Sequence, residues 1–126
     1  RGFTKEYLTE YADMDIALDT FPYTGGLTTC EALYMGVPIV TLCGKSHGGR
    51  FGASLLTNAN LEDLVAKTPD EYVRIAAALA GSLETLTALR ENLRTILQSA
   101  PLMDVRGYVQ AVEAAYRAAW ERFVGH

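Results

Sequence analysis

One stretch constrains this chain more than any other: Asp15 to Leu42, DIALDTFPYTGGLTTCEALYMGVPIVTL. An apolar run at Ile16, Ala17 and Leu18 ends in Asp19. A turn-rich segment, Phe21-Pro22-Tyr23-Thr24-Gly25-Gly26, then hands over to a helix-length segment from Leu27 to Met35. Gly36 stops that helix, and Pro38 leads into a second apolar run, Ile39 to Leu42. Strand, glycine loop, helix, strand is a βαβ unit of a parallel sheet, placed here at about 13–43. Because both runs are continuously apolar, they read as interior strands with helices on either side. The first amides of a helix have no partner within it, so a helix opening out of a Gly-Gly turn presents free N–H groups and a partial positive charge, a place for a phosphate.

Around this unit the chain reads as helix. Thr4 can cap a short helix through Tyr7, Leu8 and Tyr11. CGKSHGGR after Leu42 has the composition of a loop, and Arg50 to Thr57 is a short helix. Asn60 and Asp63 predict a capped helical turn over Leu61 to Lys67, and Thr68-Pro69-Asp70-Glu71 predicts a capped helix to about Ala80, closed by Gly81. Ser82 caps a further helix in which Leu83, Leu86, Leu89, Leu93, Ile96 and Leu97 recur at helical steps, until Pro101 breaks it. Asp104 starts a last helix whose Tyr108, Val112, Tyr116, Trp120 and Phe123 form an aromatic stripe, with Val109, Ala115 and Ala119 beside it. That stripe is long for so small a chain, so part of it is expected to pack on sequence absent here or on a second copy. Everything after Arg50, about 50–124, is expected to be helical.

The chain has 126 residues, about half of them apolar, which suits one domain with a real core. A net charge of -4 with no basic block argues against nucleic acid or an anionic membrane as partner. No apolar run approaches the ~20 residues that cross a bilayer. Cys30 and Cys43 have neither CxxC spacing nor a histidine cluster beside them, so reduced thiols in a cytoplasmic protein are expected, with no metal site. The chain opens at Arg1 and not at Met, and is expected to be a piece of something longer.

Three features around Gly25-Gly26 suit a nucleotide diphosphate better than a bare turn. Thr28 and Thr29 put hydroxyls beside the free amides of the first helical turn. Glu31, one turn in, is placed to accept hydrogen bonds from a ribose. The loop also follows the carboxyl end of a parallel strand, where open α/β sheets bind ligands. Neither G-x-G-x-x-G nor a P-loop is present, which disfavours a nicotinamide dehydrogenase or a P-loop ATPase. Asp19 is placed to orient the loop through backbone amides. His47 is a lone loop histidine, exposed or touching substrate. Arg50 either holds an anion or caps its loop, and Tyr7 either stacks on a base or faces the core from its own helix.

The stretch above, followed by GKSHGGRFGASLL, LEDLVA, EYVRIAAALA, LRENLR, SAPLMD and EAAYRAAW, closely resembles the C-terminal part of the catalytic region of O-linked N-acetylglucosaminyltransferases of the bacterial SPINDLY-like branch. The resemblance covers nearly the whole chain. It implies an α/β segment of the Rossmann-like C-terminal lobe of a GT-B glycosyltransferase, a short parallel sheet with a helical C-terminal half, in a protein with tetratricopeptide repeats ahead of two facing lobes. It places Gly25, Gly26, Leu27, Thr28 and Thr29 at the diphosphate of UDP-GlcNAc, Glu31 at the ribose, and Tyr7 against the uracil, with Gly2 to Thr4 lining the base. Many members have three threonines after the glycines, and the first is Leu27 here, so one hydroxyl contact is replaced by an amide alone. The lysine and glutamine that assist the leaving diphosphate lie upstream, and the acceptor groove lies mostly in the other lobe.

The implied function is transfer of GlcNAc from UDP to a protein hydroxyl with inversion, the helix N-terminus stabilising the diphosphate so that neither metal nor cofactor is called for. The implied partners are the UDP-sugar, a protein acceptor, the missing N-terminal lobe and, at the aromatic face, a second copy. The segment alone is not expected to catalyse. The alternative is a non-catalytic helical interaction module or transferase relic, in which the aromatic stripe makes the functional contact and the glycine loop is only a turn.

Overall fold

The computed structural model describes residues 5–125, with side chains from residue 7 onward. A 3-10 helix, Lys5–Asp13, precedes β1 (Ala17–Leu18), α1 (Leu27–Tyr34), β2 (Ile39–Leu42), α2 (Phe51–Asn58), β3 (Val65–Ala66), α3 (Pro69–Ala80), α4 (Leu83–Ser99) and α5 (Val105–Val124). Shorter 3-10 turns at Gly48–Arg50, Glu62–Leu64 and Pro101–Met103 link them.

The three strands are parallel in the order β1-β2-β3, Ala17 opposite Ile39 and Thr41 opposite Val65. Both crossovers step in one direction, so right-handed connections carry α1 and α2 to one face, and these helices touch each other and β2. Helix α3 packs on β2 and β3, and α4 crosses α3 and α1. Leu33, Val40, Leu56 and Leu93 at the centre are wholly buried.

Where local chemistry is strong the expected elements form. Met35, Gly36 and Val37 end α1 with Gly36 at φ +84°, the Gly36 amide donating to Leu33 O at 3.0 Å and the Val37 amide to Ala32 O at 2.8 Å. These are the paired bonds of a Schellman stop, which needs a left-handed residue. Thr68, Ser82 and Asp104 accept from the amides of Glu71, Thr85 and Gly107, capping α3, α4 and α5.

Two expectations are corrected. Leu61 to Lys67 is not a helical turn that keeps the chain after Arg50 all-helical: one 3-10 turn gives way to β3. Asn60 is the left-handed residue that ends α2, at φ 59°, and not a helix cap; its amide side chain tolerates that conformation. Nor is β1 covered on both faces. Among the described residues it edges the sheet with Leu18 exposed, and β2 is the interior strand. The Thr4 cap lies outside the described residues.

Candidate functional site

At the carboxyl end of β1, Asp19 is buried and fully engaged. Its Oδ1 accepts from the Gly25 amide at 2.7 Å, its Oδ2 from the Thr41 hydroxyl at 2.7 Å, and its main-chain oxygen from the Tyr72 hydroxyl at 2.8 Å. The loop-orienting role expected for this acid is what the structure gives it. Thr24, also buried, laces the glycine loop to the next one: its hydroxyl donates to Gly48 O at 3.0 Å and accepts from the Gly52 amide at 3.0 Å. Gly52 has no freedom to be anything else, since a Cβ there would lie 2.3 Å from both Asp19 Oδ2 and Thr41 Oγ1.

So anchored, the loop turns directly into α1, whose N-cap is Gly26 with no side-chain cap. Among the described residues nothing accepts from the amides of Gly26, Leu27, Thr28 or Thr29; Cys30 is the first to bond back, to Gly26 O at 3.2 Å. Among the described residues a Cβ on Gly26 would meet nothing within 4 Å, so no described side chain closes the space before these amides. Leu27 and Thr28 are exposed.

Thr29 departs from expectation. Its side chain is wholly buried, its hydroxyl has no hydrogen-bond partner among the described residues, and Gly25 closes over it, with room for no Cβ (2.6 Å to Thr29 Oγ1). The reason is helical phase: Thr29 shares a face with Ala32 and Leu33, which the core takes. Only its main-chain amide stands toward the opening.

Glu31 and Tyr7, 24 residues apart, meet. The Tyr7 hydroxyl donates to Glu31 Oε1, and Tyr11 donates to Oε2 at 3.4 Å. Tyr11 was legible in sequence only as the residue one turn after Tyr7; its place at the acid is a tertiary fact. The bond to Glu31, then burial and the carboxylate's charge, hold the Tyr7 phenol above its ordinary value. For Tyr11 burial leads and Glu31 follows. Burial and the same carboxylate push the Cys30 thiol up. The base-lining Gly2 to Thr4 lie outside the described residues.

His47 is exposed, its ring edge-on to Phe51 at 4.8 Å, and Phe51 in turn meets Tyr23 at 6.4 Å. Among the described residues no group of three His, Cys, Asp or Glu side chains is placed to hold a metal ion, and no helix is long and apolar enough to cross a membrane.

The chain is similar to several known proteins. It is 48% identical over 118 residues to the probable UDP-N-acetylglucosamine–peptide N-acetylglucosaminyltransferase SPINDLY of Hordeum vulgare, covering 94% of this chain and 12% of that protein. The identity is 44% over 121 residues to the protein of the same name from Arabidopsis thaliana, of which the chain spans 13%. Among solved structures it resembles a mutant of Thermobaculum terrenum O-GlcNAc transferase, with TM-score 0.85 and 45% identity over 94% of this chain and 23% of that one. Residues 5–112, most of the chain, match the model of glycosyl transferase family 41, and the chain belongs to that family.

Proposed function

We propose that this segment is the sugar-nucleotide half of a protein O-GlcNAc transferase. The observation that carries the reading is the run of four unpartnered amides, Gly26 to Thr29, opening into free space at the carboxyl end of β1 with Glu31 and Tyr7 close by. In this reading the amides and the Thr28 hydroxyl hold the diphosphate of UDP-GlcNAc. Glu31 exchanges its tyrosine partners for the ribose hydroxyls, and the Tyr7 ring, once released, lies against the uracil. As the glycosidic bond breaks, negative charge grows on the diphosphate. Amides fixed beforehand by Asp19 meet it without reorganising.

The sugar passes with inversion to a serine or threonine of a protein acceptor. The catalytic lysine and the rest of the acceptor groove belong to an upstream lobe that closes a two-lobed GT-B cleft, behind tetratricopeptide repeats in a cytoplasmic protein. The segment alone is then inactive. Relatives of which the match spans only 12–13%, and names that specify UDP-N-acetylglucosamine and peptide, support this.

The test is calorimetric titration of UDP into the intact protein and its Thr28→Ala and Glu31→Ala variants. Each variant is expected to weaken binding about tenfold, in line with lost hydrogen bonds to a charged or buried partner. Unchanged affinity in both would move the site elsewhere.

A further inference from the structure

A second feature sits on the same sheet edge. Cys43 directly follows β2 and Lys67 directly follows β3, and between them and one face of α2 lies an open pocket of about 610 Å³. Arg50 and Lys67 flank it, with His47 at the rim and the polar side chains of Ser54, Thr57 and Asn58 along the helix. Among the described residues no acidic side chain lines it. Neither cation has an ion-pair partner among the described residues, and Glu71, four residues after Lys67, is taken up by the Lys67 main-chain amide and by Arg74. In a chain of net charge -4, two uncompensated cations facing one hydroxyl-lined pocket are a local reversal of sign.

The pocket is coupled to the glycine loop. The Thr24 bonds to Gly48 and Gly52, and the Tyr23–Phe51–His47 ring contacts, make one wall of the pocket continuous with the loop that opens α1. With strands about 4.8 Å apart, the ends of β2 and β3 lie roughly 5–10 Å along the edge from the end of β1. An extended peptide covers that distance in about two to three residues.

We propose that this pocket is an acceptor subsite, in which Arg50 and Lys67 receive an acidic side chain of the acceptor peptide two or three residues from the hydroxyl that takes the sugar. The inference rests on the glycosyl-transfer reading and adds a preference to it. It also gives Arg50 the anion-holding role that its loop position left open. Specificity here is chiefly electrostatic, so it falls as salt rises.

The test compares capped peptides with a central serine and either glutamates or glutamines two and three residues away, each titrated into the intact protein at low salt, with UDP titrated separately. The glutamate peptide is expected to bind at least about fivefold tighter than its glutamine twin. Arg50→Gln with Lys67→Gln should erase that difference and leave UDP affinity within about twofold. Should the double variant fold poorly, Ser54→Glu places a carboxylate in the pocket at an exposed position and should erase it as well. Equal affinity for the two peptides, no binding of either, or a preference that survives both changes overturns the proposal. If instead the peptide preference holds and UDP does not bind, the nucleotide assignment fails and the pocket stands.

Discussion

The segment around β2 and the helix α5 carry the same kind of sequence signal and meet opposite fates. Leu33, Val37, Val40 and Leu56 are wholly buried, whereas Tyr108, Tyr116, Trp120 and Phe123 are 62–75% exposed and α5 buries no residue. Apolar periodicity states which side of an element avoids water, not what will cover it. Around β2 the covering partners are the next elements in the chain. For α5, the described residues supply none, and Trp120 and Phe123 meet only each other, at 5.9 Å.

The largest effect that would break this contrast is in the core. Leu56→Ala is expected to cost about 2–5 kcal/mol in denaturant unfolding of the 126-residue chain, transfer and cavity terms together. Phe123→Ala should stay within about 0.5 kcal/mol, as for a surface change. Comparable costs at the two positions would mean that α5 is covered in solution.

Next comes the glycine pair, which sharpens the contrast inside the sheet-bound half. Gly52→Ala forces a methyl against Asp19 and Thr41 and should destabilise by about 1–3 kcal/mol. Gly26→Ala enters open space and should cost under about 1 kcal/mol, the difference between these residues as caps. Titration with UDP should reverse the order of interest, Gly26→Ala weakening binding although the fold tolerates it.

Smaller again, Thr68→Ala should remove about 1 kcal/mol by uncapping a helix packed on β2 and β3. Asp104→Ala should remove less, because α5 has little tertiary structure to lose when its first turn frays; thermal unfolding followed by circular dichroism separates the two.

The smallest effect is in the tyrosines at Glu31. Both phenols are raised, so what their bonds contribute is complete below the ordinary phenol value of about 10 and is lost as pH rises past the raised ones. Ultraviolet titration of the phenolate band should show these two and Tyr72, which burial and then Asp19 raise as well, as late-titrating groups, and Glu31→Gln should return Tyr7 and Tyr11 toward the ordinary range while leaving Tyr72 late.

How far the site could be read in sequence follows from the range of each interaction. The Gly36 stop, the Thr68, Ser82 and Asp104 caps and the opening of α1 at Gly26 all depend on residues within one turn, and each falls where local chemistry puts it. Val65–Ala66 was missed because two residues carry no period, and what makes them a strand is pairing with Thr41 and Leu42. Thr29 was misjudged for its hydroxyl because a helix start shows which residues lead, not which way the core lies.

By itself, then, the amino-acid order determined a βαβ unit with a helix start left open for an anion, the caps of the later helices, and an aromatic face on the last one. Only the tertiary structure decided that Asp19 would bind the Gly25 amide and Thr41 together, that Tyr7 and Tyr11 would close on Glu31, and that Arg50 and Lys67 would face one pocket. The physical reason is distance along the chain. Torsional preference and capping act between neighbours, while these contacts join groups 6 to 24 residues apart, and no local preference encodes where a parallel crossover will bring its ends.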